Sequence, residues 1–282
     1  MPGFKKLWLI LIAGTLFGCD KIEFSPNQRF DGNSPVNLNQ KNLDRLLSSN
    51  NDDTLRFVLS GDSQRHYDNS ADFVNIVNKL KNIDFVILDG DISDFGLLQE
   101  MEWVDKIYSR LKVPYLGVIG NHDLQAKGSD VFKRMYGQLN YSFVYDSIKF
   151  VCHDTNSREY DFNGYSPDLA WLRNEFKPDS KVKAFVAVAH VPPFITDFDP
   201  RLQSEYLSIL TSVNLITSLY AHINKAGIYY YRSVDDKDPE FKDELTEGNP
   251  LPPFIVTDAI EDRSFRIIEI IHGQLHAKVI NY

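Results

Sequence analysis

Four short apolar runs restrict most strongly what this chain can fold into: LRFVLS (residues 55–60), DFVILD (84–89), PYLGVI (114–119) and AFVAVA (184–189). Such brief, nearly continuous apolarity marks strands buried on both faces. Between them, ADFVNIVNKLKNI and LLQEMEWVDKIYSRL space their apolar residues three and four apart, as helices packed on a sheet do. The alternation of strand and helix predicts a parallel or mixed sheet with helical crossovers. YSFVYD and KFVCHD follow closely enough to form a hairpin. SPDLAWLRNEF then predicts a helix with Ser166 as N-cap and Pro167 at its first position. GIYYYRS, PPFIVTD, FRIIEII and LHAKVIN return the chain to strands and imply a second sheet. The acidic stretch VDDKDPEFKDELTEG is expected to be an exposed loop.

In an open α/β sheet, ligands bind beyond the carboxyl ends of the strands, so the residues that close each apolar run carry the chemistry. Those closures are Gly61-Asp62-Ser63-Gln64, then Gly90-Asp91-Ile92-Ser93-Asp94, then Gly120-Asn121-His122-Asp123, then His190, and finally His222 and Asn224 after NLITSLY. Singly, each has an ordinary reading as a turn or a packed imidazole. Together they deliver carboxylate, amide and imidazole groups to one edge, the oxygen and nitrogen donors that a divalent metal requires.

The set resembles the calcineurin-like metallophosphoesterase family, whose pattern is D-x-H, G-D-x-x-D, G-N-H-D/E, a lone H and G-H-x-H. GDISD and GNHD carry the resemblance, which runs from Asp62 to about Asn224. It implies an α/β fold of two facing mixed β-sheets flanked by helices, a four-layer sandwich. It also implies hydrolysis of phosphate mono- or diesters at a site for two divalent ions, with Mn, Mg, Fe, Zn and Ca not distinguished. Asp91 takes the bridging place. The second ion would be held by Asp91, Asn121, His190 and His222, all present. The first would take Asp62 and Asp91 with two imidazoles, and here the chain departs from the pattern, because those places hold Gln64 and Asn224. Amide oxygens are harder and weaker donors than imidazole, so this position is either retuned toward Mn²⁺, Mg²⁺ or Ca²⁺ or given up. His122 would protonate the leaving oxygen, with Asp123 orienting its ring. The alternative activity class is a catalytically weakened or inactive member of the fold acting as a surface binding module. Ala221 stands where the family has glycine, which is tolerated if its φ is negative. Arg65 could reach a phosphate oxygen, and Asp197 and Asp199 in the loop after His190 could select a polar or cationic group. A solvated surface role is the default reading for all three.

The N-terminus joins Lys5 and Lys6 to an apolar run from Leu7 to Phe17 and then Gly18-Cys19. The run is too short for the roughly 20 residues of a spanning helix and reads as an export signal. Leu16-Phe17-Gly18-Cys19 resembles a bacterial lipobox. The expected division is therefore a signal peptide over 1–18, a Cys19-lipidated N-terminus with polar linker over 19–53, and the metallophosphoesterase domain over 54–282. NLDRLL would add a helical turn to that linker. The expected location is the bacterial cell envelope, with the membrane engaged through lipid. Cys152 is then the one remaining thiol and is expected to be buried. A net charge of −9 excludes nucleic acid as a bulk partner, and the absence of a G-x-S-x-G elbow argues against a serine hydrolase.

Overall fold

The computed structural model describes residues 30, 32–48 and 54–282, so the export signal and the lipidation expected at Cys19 lie outside the described residues. Two sheets face each other. The first has the order β12-β11-β1-β2-β3, built from Gln274–Asn281, Ser264–Ile271, Thr54–Ser60, Phe85–Asp89 and Tyr115–Val118. The second has the order β4-β5-β6-β7-β10-β8-β9, from Tyr141–Tyr145, Ile148–Cys152, Ala184–Val188, Leu215–Tyr220, Phe254–Val256, Gly227–Tyr230 and Glu240–Lys242. β1, β2 and β3 pair in parallel, as do β5, β6 and β7, whereas β11 and β12 add antiparallel.

Alternation along each strand divides the core into three layers of side chains. Phe57, Phe85, Ile87 and Val118 face Phe143, Phe150, Val186 and Ile255 between the sheets. Phe57 and Phe85 stack with ring centres 5.0 Å apart, and Phe150 meets Phe85 edge-on at 5.4 Å. The outer face of the first sheet packs Val58, Val86 and Leu88 against helices at Tyr67–Val77, Leu98–Tyr108 and Gly128–Met135. The outer face of the second packs Val151, Ala187 and Val256 against helices at Leu169–Glu175 and Gln203–Leu210. The result is the expected helix–sheet–sheet–helix sandwich.

Three local expectations give way to the structure. The linker carries a ten-residue helix, α1 (Leu38–Leu47), rather than a single turn. Its Asn39 amide donates to the Gly117 carbonyl at 2.9 Å and accepts from the Gly117 N–H at 2.8 Å. An asparagine here thus completes the hydrogen bonding of the edge strand β3, a use of polar residues that composition alone does not reveal. The 169–175 helix is capped by Asp168, whose carboxylate accepts from the Trp171 N–H, because Ser166 and Pro167 stand too early. The acidic stretch contributes the edge strand β9, paired antiparallel with β8. Cys152 is buried and free, as expected.

Candidate metal centre

The carboxyl ends of β1, β2, β3, β6 and β7 meet at one edge of the sandwich, and each ends in the residues picked out by the sequence. The turns are tight. Asp62, Asp91 and His222 adopt φ of 53°, 51° and 69°, a left-handed conformation that is uncommon outside glycine. Gly90 shares that left-handed backbone, with φ of 79°, and is required for a second reason, since a Cβ there would lie 2.3 Å from His190 Nδ1. Ala221 lies outside the positive-φ residues, so the alanine is unstrained. Its methyl packs over Gly61, where a second Cβ would come within 2.5 Å of it.

His190 is wholly buried, and its Nδ1 lies 2.7 Å from the Asp89 carbonyl. A carbonyl only accepts, so Nδ1 carries the proton and Nε2 presents its lone pair. That Nε2 is 3.2 Å from Asp91 Oδ2 and 3.3 Å from His222 Nδ1. His222 is oriented in the same sense: its Nε2 lies 3.0 Å from Asp197 Oδ2, which leaves Nδ1 facing Asn121 Oδ1 at 2.9 Å. Asp91, His190 and His222 each place one donor atom within 4.8 Å of the other two. With His190 neutral, four lone pairs, from Asp91, Asn121, His190 and His222, therefore point at one another with no N–H or O–H among them. Mutual repulsion in a buried site needs a positive charge at the centre, so the donor set fits a divalent ion with mixed nitrogen and oxygen ligation.

The electrostatics agree. Burial disfavours charge on His190, but the carboxylates of Asp91, Asp62 and Asp89 outweigh it and hold the imidazole well above its ordinary pKa. Burial would raise Asp91, yet His190 outweighs it and lowers that carboxyl. Burial, helped by His190, pushes His222 down to about 4. Burial and the Asp91 charge push Asp62 up to about 7, with His190 opposing. The pocket is thus made to hold positive charge at His190, and an ion there would take the place of a proton.

A family model described as calcineurin-like phosphoesterase matches residues 55–226. The chain belongs to that family. A relative from Arcobacter nitrofigilis, named "Probable glycerophosphodiester phosphodiesterase GpdQ", is 29% identical over 130 residues, covering 42% of this chain and 45% of its own. Purple acid phosphatase PPD1 from yellow lupin seeds superposes with a TM-score of 0.54 at 14% identity, over 81% of this chain and 51% of that one. GAP50, the anchor in the inner membrane complex of Plasmodium, superposes at 0.52 and 13% identity, over 81% and 84%. The chain spans about half the length of the Arcobacter relative and of the lupin phosphatase.

Other family positions are placed less evenly. Asp62 is buried beside the cluster, with Oδ2 accepting the His222 N–H at 3.1 Å and Oδ1 4.0 Å from His190 Nε2. Gln64 is tied to Asp91 only through backbone, its N–H donating to the Asp91 carbonyl at 3.0 Å, and its Oε1 is buried without a donor. Asn224 is exposed. His122 is held by its own N–H, which donates to Asp91 Oδ1 at 2.9 Å. Asp123 does not orient the His122 ring, contrary to expectation. Its carboxylate is fully buried and accepts from the Ile92, Ser93 and Gly120 N–H groups and the Ser93 hydroxyl, lacing the GDISD turn to the GNHD turn. The His122 ring is oriented by Asp94, whose carbonyl lies 2.9 Å from Nδ1. Arg65 pairs with that same Asp94, and Asp199 pairs with Arg201. A cavity of about 1030 Å³ opens at the far end of the sandwich, among Lys183, Asn214, Leu245 and His272, and shares no residue with this centre.

Proposed function

We propose that the chain is a metal-dependent phosphoesterase that works with one tightly held divalent ion, bound by Asp91, Asn121, His190 and His222. The observation that carries this reading is the convergence of those four lone pairs on one point. The ion would supply Lewis-acid polarisation of the phosphoryl oxygens and a low-pKa water. The protein's own groups do the rest. Because Nδ1 of His122 is engaged by the Asp94 carbonyl, Nε2 is the nitrogen that would give its proton to the departing oxygen. That ring is partly exposed, with 28% of its side-chain surface open to an incoming ester.

Gln64 and Asp62 leave the other family position with oxygen donors only, and Asn224 stands in solvent. A second equivalent is therefore expected only at high concentrations of a hard ion. Titration of the purified protein with Mn²⁺, paired with hydrolysis of bis- and mono-nitrophenyl phosphate, tests the reading. One tight equivalent and ion-dependent turnover are the expected results. Binding without turnover toward either ester would instead favour the binding-module reading, which the exposure of Asn224 supports. The pattern ending at Cys19 supports a lipid-anchored, extracytoplasmic placement. In a bacterial host, Cys19→Ala would then shift the protein from the membrane fraction to the soluble one.

A further inference from the structure

Asp197 sits in the loop after β6 and has two partners, one on each carboxylate oxygen. Oδ2 lies 3.0 Å from His222 Nε2, and Oδ1 lies 3.1 Å from Arg158 Nη1. The Arg158 N–H also donates to the Asp197 carbonyl at 3.1 Å, so this arginine holds the aspartate by both backbone and side chain. Only 20% of the Asp197 side chain is exposed, compared with 64% for Arg158.

His190 and His222 differ in what orients them. His190 is packed on all sides and anchored by a carbonyl. His222 is less enclosed, with 15% of its side chain exposed; it has a positive φ, and its neighbours Asn224 and Lys225 are exposed. Where a carbonyl stands behind the His190 ring, the Asp197 carboxylate stands behind that of His222. We infer that Asp197 is a positioning residue for the ion site: by taking the Nε2 proton it fixes the His222 tautomer and turns the Nδ1 lone pair toward Asn121 and His190. Arg158 holds that carboxylate in place and neutralises it, so that no bare negative charge stands beside an incoming phosphate. The inference rests on the reading of Asp91, Asn121, His190 and His222 as the ion position.

The same arrangement recurs at the other imidazole. Arg65 grips Asp94 Oδ1 through Nε and Nη2, both at 2.7 Å, while the Asp94 carbonyl orients His122. Both arginines are thereby occupied, which sets them apart from free phosphate-gripping groups.

The test uses the full chain, with Mn²⁺ followed by electron paramagnetic resonance and the histidine ring nitrogens followed by ¹⁵N NMR. Asp197→Ala is expected to weaken Mn²⁺ binding by about 10- to 100-fold and to release His222 from the Nε2–H tautomer. Asp197→Asn is close in shape and keeps an accepting oxygen, so it should restore much of both. It carries the test if the alanine variant fails to fold. Arg158→Ala keeps the backbone bond to the Asp197 carbonyl, so it should weaken Mn²⁺ binding less than Asp197→Ala does and raise KM for the anionic ester through the uncovered carboxylate. An Asp197→Ala protein that binds Mn²⁺ as wild type does and keeps the Nε2–H tautomer overturns the inference. Wild type that binds no Mn²⁺ overturns the ion reading instead, and the NMR readout still decides whether Asp197 sets the ring.

Discussion

The two halves of the site, one around His190 and His222 and the other around Gln64 and Asn224, come from the same strand ends and differ in their support. At the first, three of the four donors are oriented from behind: His190 by the Asp89 carbonyl, His222 by Asp197, and Asp91 by the His122 N–H. At the second, Gln64 has an orphaned amide oxygen and Asn224 faces solvent. The difference teaches that a binding position is made by the partners that hold its ligands as much as by the ligands themselves.

The largest expected effect comes from removing a ligand on the supported side. His190→Ala should weaken Mn²⁺ binding by well over about 100-fold, measured by titration, and abolish ion-dependent turnover. His122→Ala should leave ion affinity intact and lower kcat by about 100- to 10,000-fold on an ester with a basic leaving group. The loss should shrink on nitrophenyl esters, whose leaving oxygen needs no proton.

Acidity gives the next contrast. The carboxylates hold the His190 pKa well above its usual value, so a proton competes with the ion at that nitrogen. Mn²⁺ affinity should therefore rise with pH, by about tenfold per unit while one proton is displaced, and level off above the raised His190 pKa. His222, pushed down to about 4, adds no competition near neutrality. A flat affinity between pH 6 and about 8 would contradict that assignment.

The smallest effects belong to the unsupported side. Gln64→Ala and Asn224→Ala should each change Mn²⁺ affinity by less than about threefold. If either matches the His190→Ala loss, the two halves are equivalent and the contrast fails.

The strands and their closing motifs were legible in the sequence because burial on both faces leaves a local apolar signature and the turns demand glycine. Asp62, Asp91, Asn121, His122, His190 and His222 could be placed at one edge on that basis. The residues that orient them could not. Asp197 reaches His222 across 25 positions, and Asp94 rather than its more obvious neighbour Asp123 takes the His122 ring. Such contacts depend on how loops lie over the sheet edge, and no periodicity records that. The signal available for Asp197 was its place in the loop directly after His190, a place for which a solvated role is the default reading. Helix α1 was hidden for a related reason, since Asn39 and Asn42 look like linker residues until the open edge of β3 is there to receive them.

The most direct measurement is an anomalous difference map from a crystal grown with Mn²⁺. The account predicts one strong peak, within bonding distance of Asp91, Asn121, His190 and His222. Two peaks of equal height, about 3.5–4 Å apart and bridged by Asp91, with Gln64 drawn in as a ligand, would contradict it.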